Sequence, residues 1–242
     1  MTNRLTYLWS LLRAAARHGE TSTANKEALV ECVLAAAAPG DIDEAIRAID
    51  EFSRHTTWLM NVGDEKGQLL DDAVRRARPR RLLELGAFCG YSGLRMARNM
   101  IGGAQLRSVE ISPVNAAMAT RVWQHAGVTD RVQAVVGTLS DGTTLDRLRT
   151  ELGSIDFVFV DHAQSRYLPD LLILLDAGLL HPGTVVLADN VKVPGAPRYL
   201  SYLRQHEGRS WRSVEHKTVV EYQSLIPDLV VESTYLGAPT LS

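Results

Sequence analysis

From residue 80 onward the chain alternates short apolar runs with helical patterns, and this alternation restricts the fold more than any other feature. RRLLELG, QLRSVEI, RVQAVVG, IDFVFVD and GTVVLADN have strand length, while YSGLRMARNM, PVNAAMATRVWQHAGV, DGTTLDRLRTEL and YLPDLLILLDAGLL separate them. Strand and helix in turn predict a parallel sheet with helices on both faces. The last third departs from that rhythm. PGAPRYLSYLRQH reads as a helix, and WRSVEHKTV and DLVVESTYL read as strands pairing antiparallel at one edge, joined by a loop holding Pro227 and Asp228. Three helical patterns precede the sheet: STANKEALVECVLAAAA opens on capping residues, DIDEAIRAIDEFSRHTTWLM carries Asp41 and Asp43 in its first turn, and GDEKGQLLDDAVRRAR stops at Pro79. One domain over 1–242 accounts for the chain, with 1–22 an additional N-terminal helix, 23–79 a helical cap and 80–242 the α/β core.

The N-terminal RLTYLWSLLRAAARH places Leu5, Leu8, Trp9 and Leu12 in a helical stripe bracketed by Arg4, Arg13 and Arg17. A membrane span needs about 20 apolar residues, and the arginines interrupt the place where a signal peptide would be cleaved. No membrane span is expected; the stripe packs on its own domain or on a second copy, giving a homo-oligomer. With 45% hydrophobic and 22% charged residues and a net charge of −2, the chain lacks the basic footprint of a nucleic-acid or anionic-membrane binder. Cys32 and Cys89 lie far apart without metal-ligand spacing, which reads as two reduced thiols in a cytoplasmic protein.

Open α/β sheets bind ligands beyond the carboxyl ends of their strands, and here those ends are polar. LLELGAFCGYSG closes the first strand, with Gly86 and Gly90 permitting a sharp turn and close approach to a ligand. Phe88 stands where a dinucleotide fingerprint needs its second glycine, so a nicotinamide cofactor is not expected. QLRSVEI ends on Glu110, placed to accept hydrogen bonds from ribose hydroxyls. A ribose acceptor without a phosphate cradle suits an adenosine cofactor lacking pyrophosphate, such as S-adenosylmethionine (SAM). Glu84 either faces that cofactor's amino group or holds the turn. Two further strands end on Asp161 and on Asp189-Asn190. Two carboxylates and an amide form an oxygen-donor set for a hard cation, Mg²⁺ or Mn²⁺, and no Cys or paired His stands by to favour zinc.

LLELGAFCGYSGLRMAR, VEISP, FVFVDHAQSRYLPD and GTVVLADNVKVPGAP, with the upstream WLMNVGDEKG and the late VVEY, resemble catechol O-methyltransferase in order, from about Lys26 to the C-terminus. The resemblance implies a Rossmann-like SAM-dependent methyltransferase fold with a mostly parallel seven-stranded sheet. It implies methyl transfer from SAM to one hydroxyl of a Mg²⁺-chelated catechol, a small-molecule acceptor. Carried over, Asp161, Asp189 and Asn190 hold the metal. Val62, Glu84, Gly86, Phe88 and Ser92, then Glu110, Ile111, Leu139, Ser140, Asp161 and His162, serve the cofactor. Met60 lies beside the sulfonium, Glu221 accepts a hydrogen bond from the second substrate hydroxyl, and Trp58 and Pro194 wall the aromatic ring.

The chain departs from the family at the acceptor. Gln164 stands at the position of the lysine that takes the substrate's proton, and an amide has no useful basicity there. Ala163 replaces a tryptophan that walls the pocket, and Leu139 and Ser140 replace a serine and a glutamine near the adenine. Three consequences stay open on sequence alone. Solvent, His162 or Lys192 takes the proton; or the acceptor is a bulkier or more acidic phenol; or the protein binds SAM and metal with little turnover.

Overall fold

The computed structural model describes residues 22–222 and 225–237. The N-terminal stripe, expected as a helix, lies outside the described residues. Three helices come first: α1 (Thr23–Ala36), α2 (Ile42–His55) and α3 (Gly63–Ala77). Then follow β1 (Arg81–Leu85), α4 (Tyr91–Asn99), β2 (Gln105–Glu110), α5 (Pro113–His125), β3 (Val132–Val136), α6 (Gly142–Leu152) and β4 (Ile155–Val160). The chain continues with α7 (Tyr167–Asp176), β5 (Leu180–Ala188), α8 (Pro197–Gln205), β6 (Trp211–Val219) and β7 (Pro227–Tyr235).

The capping residues expected before α1 supply its cap, while Asp41, expected in the first turn of α2, stands just before it as the cap. Ser22 accepts from the Asn25 N–H, and Asp41 from the Glu44 N–H at 2.8 Å. Helix α2 ends earlier than its sequence pattern implied. Thr56 and Thr57 both donate to the Phe52 carbonyl, closing the helix there and leaving Trp58 to Met60 in a loop. Pro227, read as loop, instead begins β7, pairing with Val219 of the edge strand β6.

The seven strands follow the order β3-β2-β1-β4-β5-β7-β6. β1 to β5 are parallel, and β7 runs antiparallel to both β5 and β6. Four of the five β1 residues are buried, as a parallel strand covered on both faces requires. One face packs Leu29, Ile49, Leu70, Leu94 and Trp123 from α1 to α5. The other packs Leu148, Tyr167, Leu171 and Tyr199 from α6 to α8, with Trp211 of β6. The order reverses at β1, which has β2 on one side and β4 on the other, so the crevice of such a sheet opens above their carboxyl ends.

Gly86, just past β1, shows how tightly that crevice floor is built. Its φ is 104°, and a Cβ there would lie 2.9 Å from the Asp161 carbonyl carbon and closer still to its oxygen. The closeness that this glycine permits is therefore to the main chain leaving β4. Gly86→Ala is expected to destabilise the fold by on the order of 3 kcal/mol, combining backbone strain and overlap. Urea unfolding of the variant checks this; an unchanged midpoint would contradict it.

Candidate functional site

From Phe157 beside Val185 onward, β4 and β5 pair in register to their carboxyl ends, with Val160 beside Ala188. The next residue of each is a carboxylate, so Asp161 and Asp189 leave the sheet side by side. Main-chain bonds hold the exits: the Asp161 N–H donates to the Leu85 carbonyl at 2.9 Å and the Asp189 N–H to the Val160 carbonyl at 3.0 Å. Asn190 turns with φ 51°, a left-handed conformation that Asn tolerates. Its side-chain nitrogen donates to Glu221 Oε1 at 2.8 Å and to Asp228 Oδ2 at 3.0 Å, which turns its Oδ1 away from those carboxylates.

The two oxygens of Asp189 are unequal. Oδ1 accepts from the Asn190 N–H at 2.6 Å and from the Lys66 ammonium at 2.8 Å. Oδ2 is buried with no hydrogen-bond partner. A buried carboxylate oxygen without a donor is costly, and a cation satisfies it. Half-buried Asp161, this Oδ2 and the Asn190 amide oxygen are the hard donors Mg²⁺ takes, so the residues fit the ion. Their protonation tells the same story. Burial first, then Asp189, hold the Asp161 carboxyl well above its ordinary range; burial, opposed by Lys66 and reinforced by Glu221, pushes Asp189 up to about 7.

Around Lys66 a second group assembles. Its ammonium pairs with Glu221 and, at 3.2 Å, with Asp228. The Glu221 main chain is held too: Trp58 Nε1 donates to its carbonyl at 3.1 Å, and a Cβ on Gly63 would lie 3.3 Å from its Cβ. The neighbouring Tyr222 hydroxyl reaches Asp50 Oδ1 and Asn61 Oδ1, each at 2.8 Å. The loop with Trp58 and Met60, buried Val62 at the start of α3, and Glu221 thus form one connected wall. Met60 is left 43% exposed on it.

At the β1 and β2 ends Glu84 is fully buried and accepts from the Ser92 and Ser108 hydroxyls. Burial raises its pKa to about 7 although both hydroxyls oppose the shift. Phe88, at φ 47°, donates its N–H to Glu110 Oε2 at 3.0 Å, and the Ser112 N–H reaches Glu110 Oε1 at 2.8 Å. Beside Glu110 two apolar side chains face solvent, Ile111 at 73% and Val136 at 53% exposure, with Val136 paired to Glu110 across β2 and β3. Such exposed apolar flanks beside a carboxylate fit a nucleoside. Leu139 is not on that surface; it is buried with Val109 and Val135. Ser140 is exposed and bonded to Thr138 at 3.1 Å.

His162 bonds Asp170 Oδ2 through Nε2 at 2.8 Å and stacks on Tyr167, leaving Nδ1 buried and unpartnered. Gln164 opens a short turn, Gln164–Arg166, which lies against the turn Val191–Gly195 carrying Lys192 and Pro194. Ala163, Lys192 and Pro194 are exposed.

Sequence reasoning missed Lys66, Asp228, Asp170 and Val136. For Lys66 a signal was present: it falls four residues before Leu70 and eight before Val74, on the buried face of α3. A charge in an apolar stripe marks an internal ion pair. Asp228 was hidden because Pro227-Asp228 has the composition of a turn.

An O-methyltransferase family model matches residues 40–197. The chain is 53% identical to a probable O-methyltransferase of Mycobacterium tuberculosis, over 90% of this chain and 95% of that one. It is 41% identical to the catechol O-methyltransferase of Mus musculus, over 83% of this chain and 75% of that one. Among solved structures, the O-methyltransferase TomG from Streptomyces achromogenes, in complex with SAM, superposes with a TM-score of 0.66 at 26% identity, covering 81% of this chain and 91% of that one. The Bacillus cereus O-methyltransferase shares the fold with a TM-score of 0.65 at 21% identity, over 93% and 97% of the two chains.

The raised pKa of Glu84 has a defined sign. Below pH 4.5 the acid is protonated in folded and unfolded chains alike; as pH rises to about 7 only the unfolded chain ionises, and stability is lost. Glu84→Gln is therefore expected to gain on the cofactor-free wild type across that window, by about 3 kcal/mol in total. Urea unfolding at a series of pH values measures the difference; parallel curves would contradict it.

Proposed function

The chain belongs to the O-methyltransferase family, and we propose that it moves a methyl group from SAM to one hydroxyl of a catechol or related vicinal-diol phenol held on Mg²⁺. The observation that carries this reading is the unpartnered Asp189 Oδ2, at a shared strand end with Asp161 and Asn190 and one side chain away from Glu221. Relatives named catechol O-methyltransferase support the acceptor class. When bound, SAM supplies an electrophilic methyl on its sulfonium, and Mg²⁺ lowers the pKa of a chelated hydroxyl.

The chain's own residues do the rest. Asp161, Asp189 and Asn190 hold the ion, Glu110 accepts the ribose hydroxyls, and Ile111 and Val136 cover the base. Glu221, fixed by Lys66 and Asn190, accepts a hydrogen bond from the second acceptor hydroxyl. Trp58 and Pro194 wall the ring, and Met60 lies beside the sulfonium. Their contribution is orientation, which brings an oxygen and a methyl carbon into line. Gln164 takes no proton, so the hydroxyl's proton passes to solvent, His162 or Lys192. Of these side chains His162 is anchored, through Asp170, with its second ring nitrogen left without a partner.

A second reading is favoured by the exposed Ala163, where the family carries a wall-forming tryptophan. There the acceptor is a bulkier or more acidic phenol that fills the opened rim.

Methyl transfer from labelled SAM to a panel of simple catechols and larger vicinal-diol phenols, with Mg²⁺ and with chelator, tests both readings. Metal-dependent transfer to simple catechols is expected; transfer confined to the larger phenols would select the second reading. Transfer to none, with SAM bound, would contradict both. Gln164→Lys is expected to raise kcat on a simple catechol about tenfold or more. An unchanged rate with both ligands still binding would remove the missing base as an explanation. Asp189→Ala is expected to abolish metal-dependent transfer while SAM binding persists; loss of both would point to misfolding instead.

A further inference from the structure

Asp189, Glu221 and Asp228 each bring a carboxylate oxygen within 4.8 Å of the others, all three buried. Three buried carboxylates at that spacing describe the seat of a cation, and the cation in it belongs to the chain. Lys66, 2% exposed, reaches Asp189 Oδ1, Glu221 Oε1 and Asp228 Oδ2 with one ammonium. An ammonium has three N–H donors and no acceptor, so three carboxylate oxygens complete it. Burial works against its charge, yet the three carboxylates outweigh burial and raise its pKa above the ordinary value.

Asp189 is what connects this seat to the metal residues. Its Oδ1 faces Lys66 and its Oδ2 is the unpartnered oxygen. Asn190 is shared in the same way, its nitrogen on Glu221 and Asp228 and its oxygen turned elsewhere. One carboxylate bridging two cations is the arrangement of a two-metal site. We propose that Lys66 is a positioning residue that fills the second cation seat of a two-cation centre, presenting Asp189 Oδ2 to a single divalent ion and holding Glu221 for the acceptor. The proposal rests on the reading of Asp161, Asp189 and Asn190 as a metal site. It accounts for a lysine on the buried face of α3, and for three buried carboxylates, Asp189, Glu221 and Asp228, answered by one fixed ammonium.

The test is the number of Mn²⁺ ions bound per cofactor-free chain, by calorimetry and by electron paramagnetic resonance. Wild type is expected to bind one. Lys66→Ala leaves the carboxylates and opens room for an ion with water, and is expected to bind two. Lys66→Met removes the same charge but keeps the space filled, and is expected to bind one. If Lys66→Ala needs a cation to fold, its unfolding midpoint will keep rising with Mn²⁺ after that of wild type has levelled off. A Lys66→Ala chain that binds no more Mn²⁺ than wild type, or stays unfolded at every Mn²⁺ concentration, would overturn the proposal. If wild type binds none, the metal reading fails by itself; the proposal then requires Lys66→Ala to gain one ion, and no gain would overturn it too.

Discussion

Parallel registration of β4 and β5 is the constraint on which the rest of the site depends. With Val160 fixed beside Ala188, the first residues beyond the sheet emerge as neighbours, and both are aspartates. A shift of one residue in either strand would send its aspartate to the opposite face. The main chain leaving β4 is held by the Leu85 carbonyl at the end of β1, and at the next residue, Gly86, Asp161 leaves no room for a side chain. The carboxylates are thus placed by backbone pairing between strands whose carboxyl ends are buried, and their geometry does not rely on loops.

Crowding carboxylates in a buried place is unfavourable unless each is answered by a donor or a cation. The structure answers most of them internally. Lys66 serves three carboxylates at once, Asn190 contributes donors to Glu221 and Asp228, and Val193 N–H reaches Asp228 Oδ1 at 2.9 Å. What is left unanswered is confined to one side of the cluster, at Asp189 Oδ2 beside Asp161. Under the proposed function this division has a use: fixed charge organises Glu221, and the open side is left for an exchangeable divalent ion.

Most of the fold was legible because local and long-range signals agree. Apolar strand runs, helices and an antiparallel pair at one edge are found in the order the sequence pattern gives, while the insertion of β7 between β5 and β6 is a feature of the structure alone. That Asp161 and Asp189 leave neighbouring strand ends was legible for the same reason, since a polar residue ending a buried strand is a local feature. What escaped the sequence depends on contacts between distant segments. Lys66 meets Asp228 only because α3 packs over the end of β7, and Glu110 meets the Phe88 N–H only because β1 and β2 pair. The end of α2 at His55 was obscured by the helical reading continuing through Thr56 and Thr57, although that end is what frees Trp58 to reach Glu221.

The most direct test of this account is a crystal structure of the chain grown with Mn²⁺, with the ion located by its anomalous scattering. The account requires one ion contacting Asp161, Asp189 Oδ2 and the Asn190 amide oxygen, with Lys66 still on Asp189 Oδ1. An ion lodged among Asp189, Glu221 and Asp228 with Lys66 displaced, or no ion near Asp161 at all, would contradict it.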